Sequence, residues 1–215
     1  PKSAEAVAAA FGIEVRALQL LHTLPATIGG QQGLILRTEE TGEQDFEVLL
    51  PADAVPAAWN QLMTSGAPFG IKPVGAQARE LLRIEAGLPK AGPDINEEIV
   101  PPEANLEGKA FSLSMGCYPG QEVVARMDTY GNVRRHLVGL IIQDKTVPPA
   151  GSKLFSGERE VGWVSSAVFS PQRNAALAFG FPLRDFSAPD TTLTVEVAGT
   201  RHQATVHALP FQKHS

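Results

Sequence analysis

Leu137-Val-Gly-Leu-Ile-Ile opens a series of short β-prone runs that limits the fold more than anything else in the chain. Lys153-Leu-Phe, Glu160 to Phe169, Ala175 to Phe181, Thr192 to Val197 and His202 to Leu209 follow, and Val147-Pro-Pro-Ala-Gly marks the first turn between them. Short strands at regular spacing with turns between them indicate a small antiparallel barrel or sandwich. The change of character comes at Arg134, so a boundary is expected near Asn132. It separates a mixed α+β part, residues 1–132, from an all-β part, residues 133–215.

The first part alternates helical and extended signals. Ala4 to Phe11 is alanine-rich and reads as a helix ending at Gly12. The stretch from there to Gly30 is ambiguous. Gly33-Leu-Ile-Leu-Arg and Phe46-Glu-Val-Leu-Leu read as two strands of a hairpin around Thr41-Gly42. Asp53 is expected to cap a helix through about Met63. A further helix is expected from Gly75 to Ala86, with Ala78, Leu81 and Leu82 as its apolar face and a half-buried Glu85 held by backbone amides after Gly87. Arg79 and Arg83 lie four apart on another face and repel unless an anion sits near them; Glu80 is placed to pair with Arg83. Pro89 to Gly108 is an irregular segment of a length that is usually functional.

The chain's single cysteine, Cys117, sits in Gly116-Cys-Tyr-Pro-Gly-Gln-Glu122, before a segment that reads as a helix from Gly120 to Met127, stopping near Tyr130-Gly131-Asn132. A packing cysteine more often lies in an apolar run. Placed at a helix start, a thiol feels a partial positive charge that favours thiolate. A small half-buried turn residue is an equal reading. One cysteine allows no intrachain disulfide, which fits a reducing, cytoplasmic setting. The net charge of -5 argues against a general DNA binder, and no apolar run is long enough to span a bilayer. No Cys/His spacing indicates a protein-only metal site.

Met115-Gly116-Cys117-Tyr118-Pro119-Gly120-Gln121-Glu122 resembles the Lys-Gly-Cys-Tyr-x-Gly-Gln-Glu motif of the YgfZ family, folate-binding proteins linked to iron–sulfur cluster maintenance. Leu82-Arg-Ile-Glu-Ala-Gly87 with Gly92, Gly162-Trp-Val-Ser-Ser166 with Ser170-Pro171, and Asn174-Ala-Ala-Leu-Ala178 resemble the wider superfamily. That superfamily includes the aminomethyltransferase, or T-protein, of the glycine cleavage system. The resemblance covers most of the chain and implies an α+β fold: a mixed, ferredoxin-like-related folate-binding region followed by a small C-terminal antiparallel β-barrel. Two departures stand out. Met115 replaces the motif's lysine, and the family's N-terminal part finds no counterpart, as though the chain began where the middle of a member begins.

The resemblance also implies site residues. Asp45-Phe46-Glu47 aligns with the sequence whose carboxylate grips the pteridine ring, so Glu47 is the candidate; a carboxylate accepts the ring's amino and N–H donors as a pair. Arg83 aligns with an arginine near the folate, and Tyr118 could stack on a ring or pack in its turn. Gly116, Gly120, Gln121 and Glu122 support the cysteine loop, although Glu122 also stands four before Arg126 as for a surface ion pair. The function implied is a tetrahydrofolate-binding protein that assists iron–sulfur cluster assembly or repair, with Cys117 as its working thiol. Its partners would be iron–sulfur proteins or their assembly factors, with room for an N-terminal partner chain or self-association. The alternative is a folate-dependent aminomethyltransferase of the glycine cleavage type, whose carboxylate near the folate carbon would lie in the N-terminal portion. A folate-free interaction module is a third reading.

Overall fold

The computed structural model describes residues 2–114, 116–130 and 133–212. Met115, the helix stop at Gly131-Asn132 and the boundary near Asn132 lie outside the described residues. The chain divides into two compact units, the first ending at Arg79 and the second starting at Glu80.

In the first unit, helix α1 (Ser3–Phe11) precedes an antiparallel sheet of β1 (Thr23–Ile28), β2 (Gln31–Thr38) and β3 (Asp45–Leu49), in that spatial order. The expected hairpin is the β2–β3 pair, with Leu36 opposite Glu47. Strand β1 falls in the stretch that reads ambiguously. Pro25 weakens its β signal, but β1 is an edge strand, where a missing N–H is tolerated. The β1–β2 turn is Gly29-Gly30, both at positive φ (59° and 83°), the two-glycine hairpin turn that matches strand twist. Helix α2 (Val55–Gly66) starts at Ala54 without a side-chain cap, so Asp53 does not serve as one; Pro in the first turn needs no N–H partner there. Side chains alternate across the sheet. Leu24, Ala26, Ile28, Ile35, Phe46 and Val48 face a core shared with Ala4, Val7 and Ala58 of the two helices.

The second unit is built on a closed six-stranded antiparallel barrel. Its strands are β4 (Val138–Ile142), β5 (Lys153–Ser156), β6 (Arg159–Ser170), β7 (Ala175–Gly180), β8 (Thr192–Val197) and β9 (Thr200–His207), ordered β4-β7-β6-β5-β8-β9. All six agree with the sequence expectation to within a few residues, and closure decides between barrel and sandwich. Every residue of β7 is buried. Ala176 and Ala178 fill the barrel interior beside Leu140 and Val195, while Leu177 and Phe179 point outward. That outer face is covered by Ile84 of helix α3 (Ala76–Glu85) and by Ile99 and Ala104 of the irregular segment before α4 (Gln121–Tyr130).

Candidate functional site

Glu47 stands on the face of β3 opposite the helices. It shares that face with Leu36 directly across the strand pair and with the Leu34–Leu49 pair, both leucines being exposed. A cleft of about 350 Å³ adjoins it, lined by Thr38, Glu40, Thr41, Asp45, Phe46, Glu47 and Arg79. Two of these acids are already engaged. Asp45 accepts the backbone N–H and hydroxyl of Thr41 at 2.8 Å, and Glu40 pairs with Arg79. Glu47 is exposed and makes no hydrogen bond or ion pair among the described residues. An unpaired carboxylate beside exposed leucines suits a flat heterocycle that offers two donors on one edge.

The arginine is in a different state. Arg83 is 8% exposed. Its Nη1 donates to Leu88 O (2.6 Å) and to Asp94 Oδ2 (2.8 Å); its Nε and Nη2 donate to the two oxygens of Glu80 (3.1 and 2.5 Å). The guanidinium lies 5.3 Å from the centre of the Phe179 ring. Arg83 and then Lys90 hold the Glu80 carboxyl below its ordinary value, chiefly through the Arg83 hydrogen bonds and against the opposing effect of burial. The expected Glu80 partner is thus present, and Asp94, eleven residues on and wholly buried, joins it. Arg79 turns to Glu40, so the two like charges are each compensated.

The face of α3 differs from the expectation. Ala78 and Leu82 are exposed; Arg83, Ile84 and Glu85 are buried. Glu85 takes its donor from the Ser170 hydroxyl of β6 at 2.9 Å rather than from backbone amides after Gly87. Asp94, Ser165, Ser166 and Ser170 carry this buried polar layer, and the site reading of the sequence missed Asp94 and all three serines as polar partners. Gly92-Pro93-Asp94 looks like a surface turn. The only available signal was a pair of adjacent serines, Ser165-Ser166, inside an apolar strand.

Cys117 is free and exposed. Its loop is shaped by Gly116 (φ 46°) and Gly120 (φ 88°), conformations costly for residues with a Cβ. The Gly120 carbonyl accepts the N–H groups of Val123 and Val124, starting α4. Glu122 pairs with Arg126 at 2.6 Å, both well exposed, instead of reaching back to the loop. The Tyr118 hydroxyl is buried without a hydrogen-bond partner among the described residues. Among the described residues, no group of three or more His, Cys, Asp and Glu side chains is placed to hold a metal ion, and no helix is long and apolar enough to cross a membrane.

Two family profiles match. One, described as the GCVT N-terminal domain, covers residues 1–110; the other, the glycine cleavage T-protein C-terminal barrel domain, covers 135–213. An aminomethyltransferase from Chlorobium limicola is 34% identical over 183 residues, which is 85% of this chain and 50% of the relative. One from Saccharopolyspora erythraea is 33% identical over 99% of this chain and 58% of its own length. The crystal structure of glycine cleavage system aminomethyltransferase T from Bartonella henselae superposes with a TM-score of 0.80 at 28% identity, covering 97% of this chain and 56% of that one. The chain therefore spans about half the length of the curated relatives it matches.

Proposed function

We propose, because this chain belongs to the glycine cleavage T-protein family, that it binds tetrahydrofolate and serves folate-dependent aminomethyl transfer. The specifically YgfZ-like assignment is not what the relatives carry: they are named aminomethyltransferases. The observation that carries the reading is Glu47, an unpaired carboxylate on an exposed leucine face. Glu47 would accept the pteridine's amino group and ring N–H; Tyr118 and Arg83 are proposed as further folate contacts. The folate, when bound, is the carrier of the one-carbon unit. This chain's own part is to grip and orient it. The division into a folate-binding part over 1–132 and a barrel over 133–215 belongs to the same proposal, as does a cytoplasmic location.

Titration of the protein with tetrahydrofolate, followed by calorimetry, tests the reading. Glu47→Gln replaces charge-assisted hydrogen bonds with neutral ones, and the affinity is expected to fall about tenfold or more. A wild-type protein that is folded and binds no tetrahydrofolate sinks the folate reading. Unchanged binding by the variant removes Glu47 from it.

A second reading rests on the exposed thiol within the Gly116–Glu122 motif. Here the folate-binding protein supports iron–sulfur enzymes, and Cys117 is the working group. Cys117→Ala is expected to lose rescue of iron–sulfur enzyme activity in a deletion strain; full rescue by the variant rejects this role.

A further inference from the structure

The cleft beside Glu47 holds about 350 Å³, near the lower end of the range for small-molecule sites. All of its lining residues belong to the first compact unit. Glu40, Asp45 and Glu47 supply three carboxylates. Arg79 is the one cation among the described lining residues, which leaves a formal excess of two negative charges. The three acids are in different states. Asp45 accepts the N–H and the hydroxyl of Thr41, each at 2.8 Å, within its own connection. Glu47 is unpaired among the described residues. Glu40, on the connection between β2 and β3, pairs with Arg79 of α3, 39 residues away in sequence.

The Glu40 pairing limits what Arg79 can add to ligand binding. An anionic group on a ligand has to displace the Glu40 carboxylate before it reaches the guanidinium. The exchange replaces one charge-assisted bond by another, so the net gain is small. The displaced Glu40 then stands unpaired in a cleft that already carries Asp45 and Glu47, and like charges at close range add to the cost. An uncharged ring with donors on its edge meets neither obstacle, since Glu47 alone accepts it. The Arg79 and Glu40 side chains are 62% and 48% exposed, so the pair contributes little to stability. Its effect falls on selection instead.

We propose that Glu40 is a specificity-determining residue: by occupying Arg79, it makes the cleft select the uncharged pterin ring and gain little from the anionic p-aminobenzoyl-glutamate portion. This rests on the tetrahydrofolate reading and adds to it which part of the ligand the cleft reads. Glu47 holds the ring, and Glu40 keeps the lining cation from answering the tail.

Calorimetry on the full chain compares tetrahydrofolate with 6-methyltetrahydropterin, which keeps the ring and lacks the p-aminobenzoyl-glutamate portion. Glu40→Gln releases the guanidinium and removes one negative charge. The ratio of tetrahydrofolate affinity to 6-methyltetrahydropterin affinity is expected to rise about threefold or more. Introduced into Arg79→Gln, the same change is expected to move that ratio by less than about twofold, because the guanidinium it would release is gone. A ratio unaltered by Glu40→Gln overturns the inference. An equal rise in both backgrounds also overturns it, since net charge alone would then be the cause. So does a wild type that binds tetrahydrofolate but not 6-methyltetrahydropterin, because the ring is then not what the cleft reads. A folded wild type that binds neither ligand overturns the folate reading itself, and the inference falls with it.

Discussion

At the residue scale, like residues differ through their surroundings. Arg79 is an exposed arginine facing Glu40, whereas Arg83 one turn later is buried among Glu80, Asp94 and the Leu88 carbonyl. His136 shows the same dependence. Burial, then the nearby Arg184 charge, lowers its pKa below the ordinary 6.5, with Glu103 acting the other way. The sign follows directly. The unfolded chain takes up a proton at His136 at a higher pH than the folded one. Folded stability is therefore greatest above 6.5 and falls as pH drops from there toward the lowered folded value. Urea midpoints measured between about pH 7.5 and about pH 5.5 should drop for the wild type, and drop less for His136→Gln. Parallel profiles for the two proteins would reject this. Glu47 and Arg83 were legible as candidates through their resemblance to superfamily motifs. Asp94 was not, because its donors come from residues 83, 90, 165 and 166, and no local window contains them.

At the scale of elements, short β-prone runs separated by turns marked all six barrel strands, because strand propensity and turn chemistry are local to each run. The bulge in β6 was invisible, since it is a relation between β6 and β7. Helix α3 was misread for a related reason. Apolar spacing favours Leu82 as a core residue, but the chain buries Arg83 and Glu85, whose partners lie on distant segments. Gly162 adds a backbone reason to the Gly162–Ser166 motif. A Cβ there would lie 2.4 Å from Phe181 O and 2.8 Å from Pro182 Cα. Gly162→Ala must therefore push β6 away from the end of β7, at a cost of about 1–3 kcal/mol. The melting temperature should fall by several degrees, by calorimetry, and an unaltered value would contradict this close approach.

At the scale of the whole molecule, the chain carries separate cores: one among α1, α2 and the three-stranded sheet, the others inside and just outside the barrel. A closed barrel has no strand edge, whereas a three-stranded sheet has two. Hydrogen exchange should accordingly be slowest at the β4 and β7 amides, flanked by Leu140, Ala176, Leu177 and Ala178, all without exposed surface. Amides of β1 and β3 should open at lower denaturant concentration. Equal protection across both sheets would refute that order. The sequence by itself determined the strand series, most helices, the placing of Cys117 before a helix and the family to which the motifs point. The elements depend on propensity and turn chemistry within a few residues, and the family on the resemblance of short motifs. Only the tertiary structure decided that the strands close into a barrel, that Glu47 shares its face with leucines, and that Arg83 is clamped by Asp94 and Glu80. Each of those depends on pairings between distant segments, where burial raises the cost of leaving a charge or a donor unmatched.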